Sequence, residues 1–271
     1  MPRSSGDNDR VSPHNDDPRV WLAAVRRSHD RLAQLVGGRH GSELIVPSAC
    51  SEWNVAQVVS HLGSQAEIFS LFVDSALEGR EAPGREAFEP IWNGWNAKPP
   101  AQQVSDGIAA NERLVRRLEG LDDEALAAMR LDLFGGQRDA VGLLRMRLSE
   151  HAIHTWDVEV AFDPSAQVAP DAVGLLIDNI PEMASRAGRA AAAGRRVAVT
   201  TADPELHLNL DTGGVSIRPG DAEDTDATLE IPAEGLLRLV YGRLGDAHPP
   251  RGPVRSEGIS LEDLQEVFPG F

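Results

Sequence analysis

Four segments in the first 160 residues carry apolar side chains at the spacing of an amphipathic helix. They begin near Val20, Asn54, Pro100 and Asp139. Glycines 37 and 38 end the first segment, and the pair Asn54 and Gln57 predicts a capping box at the start of the second. Four helices joined by connections of variable length predict an antiparallel four-helix bundle over residues 17–164.

The pattern changes after Pro164, where short segments alternate in type. A helix is expected from about Pro170 to Gly188, and Leu206, Leu208 and Leu210 then alternate with polar residues as on a half-buried strand. Further elements are strands in RRVAVT, VSIR and ATLEI, a turn at Gly213-Gly214, a helix in AEGLLRLVYGRL and a last helix capped by Ser260 with Asp263. Residues 165–271 are therefore predicted to form a small α+β domain, which makes the chain a two-domain α+β protein.

Composition narrows the kinds of partner that this chain can have. Residues 1–16 are polar and are expected to form a disordered tail. A formal net charge of -16 without a basic stripe argues against nucleic acid and anionic membranes, and no apolar run reaches the roughly 20 residues of a membrane span. The N-terminus lacks a signal-peptide core, and the single cysteine, Cys50, is typical of a reducing compartment. We expect a cytoplasmic monomer or small homo-oligomer that acts on small molecules.

Ionisable residues interrupt the fourth helix in the stretch RLSEHAIHTWDVEVAF, residues 147–162. At 100° per residue, Glu150 and His154 lie about 40° apart and share a stripe with Arg147. The opposite face is apolar too, so most of the helix is predicted to be enclosed by protein. Buried ionisable groups need partners. One interpretation is an ion pair between Arg147 and Glu150 beside a hydrogen-bonded histidine, and the other is a divalent metal held by Glu150 and His154.

His61 lies on an apolar flank of the second helix and is a candidate third ligand. Facing helices of a bundle approach within roughly 8 to 10 Å, so His61 can meet Glu150 and His154. Three protein ligands leave one position of a zinc ion open, which is typical of catalytic sites. The alternative is a core histidine whose hydrogen bonds are satisfied within the protein.

Two segments resemble motifs of the DinB-like helical superfamily. VPSACSEWNVAQVVSHL is similar to its Pro-Ser/Thr-x-x-x-x-Trp segment that ends in His-Leu, and RLSEHAIHTWDVEVAF is similar to its Arg-x-x-Glu-x-x-x-His-x-Trp-Asp segment. In particular they resemble the mycothiol-dependent maleylpyruvate isomerase family, in which a sterol-carrier-like α+β domain follows the bundle. The resemblance implies that His61, Glu150 and His154 bind zinc, or another divalent metal, and that mycothiol is the cofactor.

The resemblance also implies the chemistry. A metal-bound mycothiol thiolate would add to the double bond of an electrophile such as maleylpyruvate, and elimination after rotation would give the trans isomer. A mycothiol S-transferase, in which the thiol stays on the product, is the alternative enzyme. A non-catalytic module that binds a metal or a small molecule is the alternative of another class.

Four further residues are candidates for the surroundings of the metal. Arg243, in VYGRL, matches an arginine that the resemblance places at the active site; otherwise it is an exposed arginine at a helix end. Arg147 is a candidate for binding a substrate carboxylate, although an ion pair with Glu150 is favoured. Asp157 can accept the second N–H of His154 or lie at the surface, and His151 is expected to form a neighbouring hydrogen bond. Cys50 is expected to be a buried, inert thiol.

Overall fold

The structure is a computed structural model that describes residues 16–50, 52–189, 194–201, 205–211, 214–219 and 224–270. Residues 1–15 of the predicted tail and Gly213 of the predicted turn lie outside the described residues.

The first part of the chain is mainly helical. Its elements are α1 (Pro18–Val36), α2 (Val55–Leu77), α3 (Phe88–Asn96), α4 (Pro100–Glu119), α5 (Asp123–Ala128), strands β1 (Leu131–Leu133) and β2 (Gly136–Arg138), and α6 (Ala140–Glu159). The predicted capping box of Asn54 with Gln57 starts α2, and the Asp139 side chain caps α6 by accepting from Gly142 N. The four predicted helices are therefore confirmed as α1, α2, α4 and α6, whereas α3, α5 and the β1–β2 hairpin were not predicted.

The long helices pack around a common interior. Helix α2 packs against α4 and α6, and α1 packs against α6 and α4. Gly107 lets α4 approach α2 closely, because a Cβ atom at this position would lie only 2.7 Å from Val59. These contacts do not test the antiparallel order of a four-helix bundle or its predicted limits, and both stay predictions.

The second part of the chain combines helices with a five-stranded sheet. Its elements are α7 (Pro170–Leu176), α8 (Ile180–Ala187), β3 (Arg195–Thr200), β4 (Glu205–Asp211), β5 (Gly214–Pro219), β6 (Ala227–Glu230), α9 (Ala233–Val240), β7 (Arg255–Glu257) and α10 (Leu261–Val267). The strand order is β5-β4-β3-β6-β7, with β3 parallel to β6 and the other pairs antiparallel. Leu206, Leu208 and Leu210 are buried, which confirms the predicted alternation.

Two predicted helices differ from the structure. The helix expected from Pro170 to Gly188 is divided, with a 3-10 turn at Ile177–Asn179 between α7 and α8. Pro181 lies in the first turn of α8, where its missing N–H is tolerated, and an uninterrupted helix through this position would lose a hydrogen bond. Helix α9 ends at Val240 rather than continuing through VYGRL, and Gly242 follows with φ 66°. Arg243 therefore lies beyond the helix, directly after the turn at Tyr241 and Gly242.

The two parts of the chain share one contiguous buried apolar cluster. At their contact the Trp156 indole N–H donates to Ala166 O at 3.0 Å, and the buried Arg238 guanidinium lies 4.7 Å from the Trp156 ring centroid. The Ser149 and Tyr241 hydroxyls are hydrogen-bonded to each other. These contacts hold the turn after α9 against α6. None of the described helices is both long enough and apolar enough to cross a bilayer.

Candidate metal centre

Three predicted ligands meet between α2 and α6. His61 Nε2 lies 3.3 Å from Glu150 Oε2, and His154 Nε2 lies 3.7 Å from the same oxygen. The three donor atoms all lie within 4.8 Å of one another. A tetrahedral zinc ion with bonds of about 2.0 to 2.1 Å separates its ligand atoms by roughly 3.3 Å. The spacing and the donor set therefore fit a divalent metal.

Burial and neighbouring charges control the ionisation of this cluster. Burial lowers the pKa of His61, which favours the neutral imidazole that a metal requires. Burial raises the pKa of Glu150, but the hydrogen bond with His61, the charge of His154 and the amide of Gln65 outweigh it and bring the pKa to about 2. Glu150 is therefore an ionised carboxylate at neutral pH.

Asp157 lies on the far side of His154 from the cluster. Its side chain is fully buried, and its Oδ2 lies 2.8 Å from His154 Nδ1. Burial alone would lower the pKa of His154, but the hydrogen bonds with Asp157 and Cys50 and the nearby carboxylates raise it to about 9. A carboxylate that accepts from Nδ1 leaves Nε2 directed at the metal, which is the usual arrangement behind a metal-bound histidine.

Arg243 completes this network from the second part of the chain. Its Nε and Nη2 donate to the two oxygens of Asp157 at 3.0 and 3.2 Å, and Nη2 lies 3.4 Å from Cys50 Sγ. The Arg243 side chain is only 11% exposed, so it is not a solvated arginine at a helix end. Cys50 is partly exposed rather than buried, and it contacts both Arg243 and His154.

Arg147 has partners other than the predicted one. It is 1% exposed, and it donates to Gln65 Oε1 at 2.9 Å, to Leu62 O at 3.1 Å and to Asn111 Oδ1. The expected ion pair with Glu150 is absent among the described residues, because Gln65 lies between the two side chains and donates to Glu150 Oε2 at 2.7 Å. Its guanidinium is engaged by these groups and is not part of the wall of the cleft described below, and a role of Arg147 in binding a substrate carboxylate stays a prediction.

Gln65 is the site residue that the sequence analysis left without a role. It lies one turn after His61 on the same flank of α2, so helical spacing alone brings it beside any group that His61 contacts. No local pattern in the sequence points to Asn111 on α4 as a site residue, because its contact with Arg147 joins residues 36 positions apart.

His151 lies outside the cluster of three ligands. It is fully buried, its Nδ1 lies 2.9 Å from Ser28 Oγ, and its ring centroid lies 6.1 Å from that of His29 on α1. The predicted neighbouring hydrogen bond is therefore made to α1 rather than to a metal ligand. Burial lowers the pKa of His151 well below its ordinary value of 6.5.

This burial predicts a loss of stability in acid. Below pH 6.5 the unfolded chain binds a proton at His151 that the folded chain does not, so the free energy of unfolding falls as the pH is lowered. The variant His151→Leu should make this fall shallower by up to about 1.4 kcal/mol per pH unit, measured by urea unfolding between pH 5 and 7. His40→Leu removes an exposed histidine and is the control. Equal slopes for His151→Leu and the wild type would refute the assignment.

A cleft of about 810 Å³ opens beside the candidate metal centre. His61 and Glu150 form part of its wall, together with residues of α3, the β1–β2 hairpin and α8. A smaller cavity of about 420 Å³ also has His61 in its wall, together with Trp53, Gln57, Ser60, Asn96 and Gln103. Two concave spaces therefore adjoin His61.

Inward-facing imidazoles and a carboxylate on packed helices are typical of metal-binding helical proteins. The sequence model of one family, the mycothiol maleylpyruvate isomerase N-terminal domain, matches residues 25–159, and the chain belongs to this family. Residues 25–159 include all three members of the cluster.

Two further comparisons concern the fold and the sequence. Two crystal structures of mycothiol-dependent maleylpyruvate isomerase, one of them a histidine-to-alanine mutant, superpose with a TM-score of 0.65 over 90% of this chain and 94% of theirs. Their sequence identity is 17%, so this likeness shows the fold alone. Two uncharacterised proteins of Mycobacterium tuberculosis, one from each of two strains, are 24% identical over 154 residues, which is 55% of this chain and 71% of theirs.

Proposed function

We propose that this protein is a zinc-dependent enzyme that uses mycothiol to isomerise an electrophilic small molecule of the maleylpyruvate type. One observation carries the proposal: His61, Glu150 and His154 converge within 4.8 Å, and two of them line a cleft of about 810 Å³. Three protein ligands leave one coordination position for a thiol or a substrate. The family membership supports mycothiol as that thiol.

The residues of the chain have distinct roles in this proposal. When bound, zinc would lower the pKa of a coordinated thiol, so that mycothiol is present as a thiolate at neutral pH. Asp157 orients His154 by accepting from its Nδ1, and Arg243 balances the charge of the buried Asp157. Gln65, itself held by Arg147, orients the carboxylate of Glu150.

Trp53 protects the site from water on one side. Its ring centroid lies 4.9 Å from that of His61 and 6.2 Å from that of His154. The two concave spaces that meet at His61 support a reaction with two partners, because thiol and electrophile must approach one centre together. Arg243 is proposed as a positioning residue, since its guanidinium acts through Asp157.

A mycothiol S-transferase is the second candidate. The larger cleft is walled partly by Ile68, Phe69, Phe134 and Met183, which suits an electrophile with an apolar body. An S-transferase would use the same ligands and the same thiolate but would release a thioether.

Product analysis distinguishes the candidates. Zinc-loaded protein with mycothiol should convert maleylpyruvate to its trans isomer, followed by chromatography, and stripping the metal with a chelator should lower the rate at least about 100-fold. Re-addition of zinc should restore the rate, which controls for damage by the chelator.

The other outcomes each exclude a candidate. Accumulation of a mycothiol adduct, detected by mass spectrometry, would favour the S-transferase over the isomerase. Absence of both products across a panel of electrophiles, with zinc tightly bound and unable to accept a thiol, would leave a non-catalytic binding module and refute the enzyme.

A further inference from the structure

Arg145 is a cleft residue whose charge has no counter-ion within the part of the chain that the structure describes. Its side chain makes no hydrogen bond or ion pair with any other described residue, and its Nε is shielded from solvent. The other arginines of the cleft are engaged: Arg138 and Arg186 lie 3.4 and 3.5 Å from Glu182. Arg130 donates to the carbonyls of Ala127 and Met129.

A partly buried guanidinium without a partner destabilises the folded protein unless a ligand supplies hydrogen-bond acceptors or a negative charge. Trp21 offsets part of this cost, since its ring centroid lies 5.3 Å from the centre of the Arg145 guanidinium. This contact also restricts where the guanidinium can lie. The remaining N–H groups form a planar fork that matches a carboxylate.

Arg145 borders the same cleft as the candidate metal centre. Gly142, Arg145, Met146, Ser149 and Glu150 all line the cleft from α6. Arg145 precedes Glu150 by five residues, which separates their backbones by about 7.5 Å along the helix axis. A ligand that reaches from one to the other must be extended.

The surface of the cleft around these residues of α6 is apolar in part. Ile68, Phe69, Phe134, Met146 and Met183 contribute to its walls. Two acidic residues of the cleft are already engaged, because Glu182 pairs with arginines and Asp139 caps α6. Asp16 is exposed and forms no ion pair with Arg145.

We infer that Arg145 is an anion subsite that binds the carboxylate of an organic acid, whose apolar body lies along the cleft toward Glu150. One part of this inference rests on the proposed function, namely that the other end of the organic acid reacts at the metal. The binding of the carboxylate depends on Arg145 alone, so it is expected in the zinc-loaded and the metal-free protein alike.

Cinnamate, an extended aryl carboxylate, is a suitable probe, and the neutral cinnamamide is its control. Isothermal titration of zinc-loaded protein should show that Arg145→Gln weakens cinnamate binding at least about tenfold and leaves cinnamamide binding unchanged. Arg186→Gln removes an equal charge from the same cleft and is the matched control. Arg145→Lys keeps the positive charge but loses the planar pair of N–H donors, so it should bind cinnamate with intermediate affinity. This variant replaces Arg145→Gln in the test if Arg145→Gln does not fold.

The outcomes separate this inference from the proposed function. Equal cinnamate affinity of Arg145→Gln and the wild type, or an equal loss in Arg186→Gln, would overturn the subsite. Loss of binding on metal removal, with no effect of Arg145→Gln, would also overturn it, because the carboxylate would then bind the metal. If cinnamate binding depends on Arg145 in a protein without mycothiol-dependent activity, the subsite stands and the proposed function fails.

Discussion

A His61→Ala variant is expected to bind zinc at least about 100-fold more weakly than the wild type. His61 supplies the only proposed ligand from α2, and Glu150 and His154 alone leave an ion with two protein ligands from one helix. Loss of an outer partner of a ligand costs about 10- to 100-fold in metal affinity, and loss of a ligand itself should exceed that. Competition with a chromophoric zinc chelator at neutral pH measures the difference.

His40→Ala is the control for this variant, because it removes an exposed histidine. It should compete for zinc as the wild type does. If His61→Ala also retains wild-type affinity, the cluster of three is not the metal site, and the proposed enzyme loses the observation that supports it.

Asp157→Ala is expected to weaken both the fold and the metal centre. The fully buried carboxylate pairs with His154 and with Arg243, whose side chain is 11% exposed. Removing it leaves a buried guanidinium without a counter-ion, a change that typically lowers the free energy of unfolding by about 3 to 5 kcal/mol. It also frees the imidazole of His154 to rotate, so zinc affinity should fall by about 10- to 100-fold.

The double variant Asp157→Ala with Arg243→Met separates the two effects. Removing the unpaired guanidinium should recover part of the lost stability in urea unfolding of the metal-free protein, whereas zinc affinity should stay low because nothing orients His154. Recovery of zinc affinity together with stability would refute the orienting role of Asp157. Additive losses in the two single variants would refute the coupling between Asp157 and Arg243.

Local signals in the sequence predicted much of the helical framework. A capping box at Asn54 and Gln57 identified where α2 begins, because its contacts join residues only three positions apart. The division of the Pro170–Gly188 segment was missed, although Pro181 is a local signal. The short hairpin before α6 has only three residues in each strand, too few for a periodic pattern to identify.

The candidate site was likewise predicted where the relation between residues is local along one helix. Helical periodicity, at 100° per residue, determined that Glu150 and His154 share a face of α6. It also placed His61 on an apolar flank of α2, which is expected to face the interior, and so made His61 a candidate third ligand. The family resemblance then predicted zinc and mycothiol chemistry for that donor set.

Only the tertiary structure decided which partner each remaining charge has. Arg147 contacts Gln65 and Asn111 rather than Glu150, and Arg243 reaches Asp157 across 86 positions of sequence. Arg145 has no counter-ion among the residues that the structure describes. The sequence by itself determined the helices and the faces on which their polar groups lie. The partners depended on how the helices and the α+β part pack, because side chains distant in sequence meet only where the packed backbone brings them within hydrogen-bonding reach.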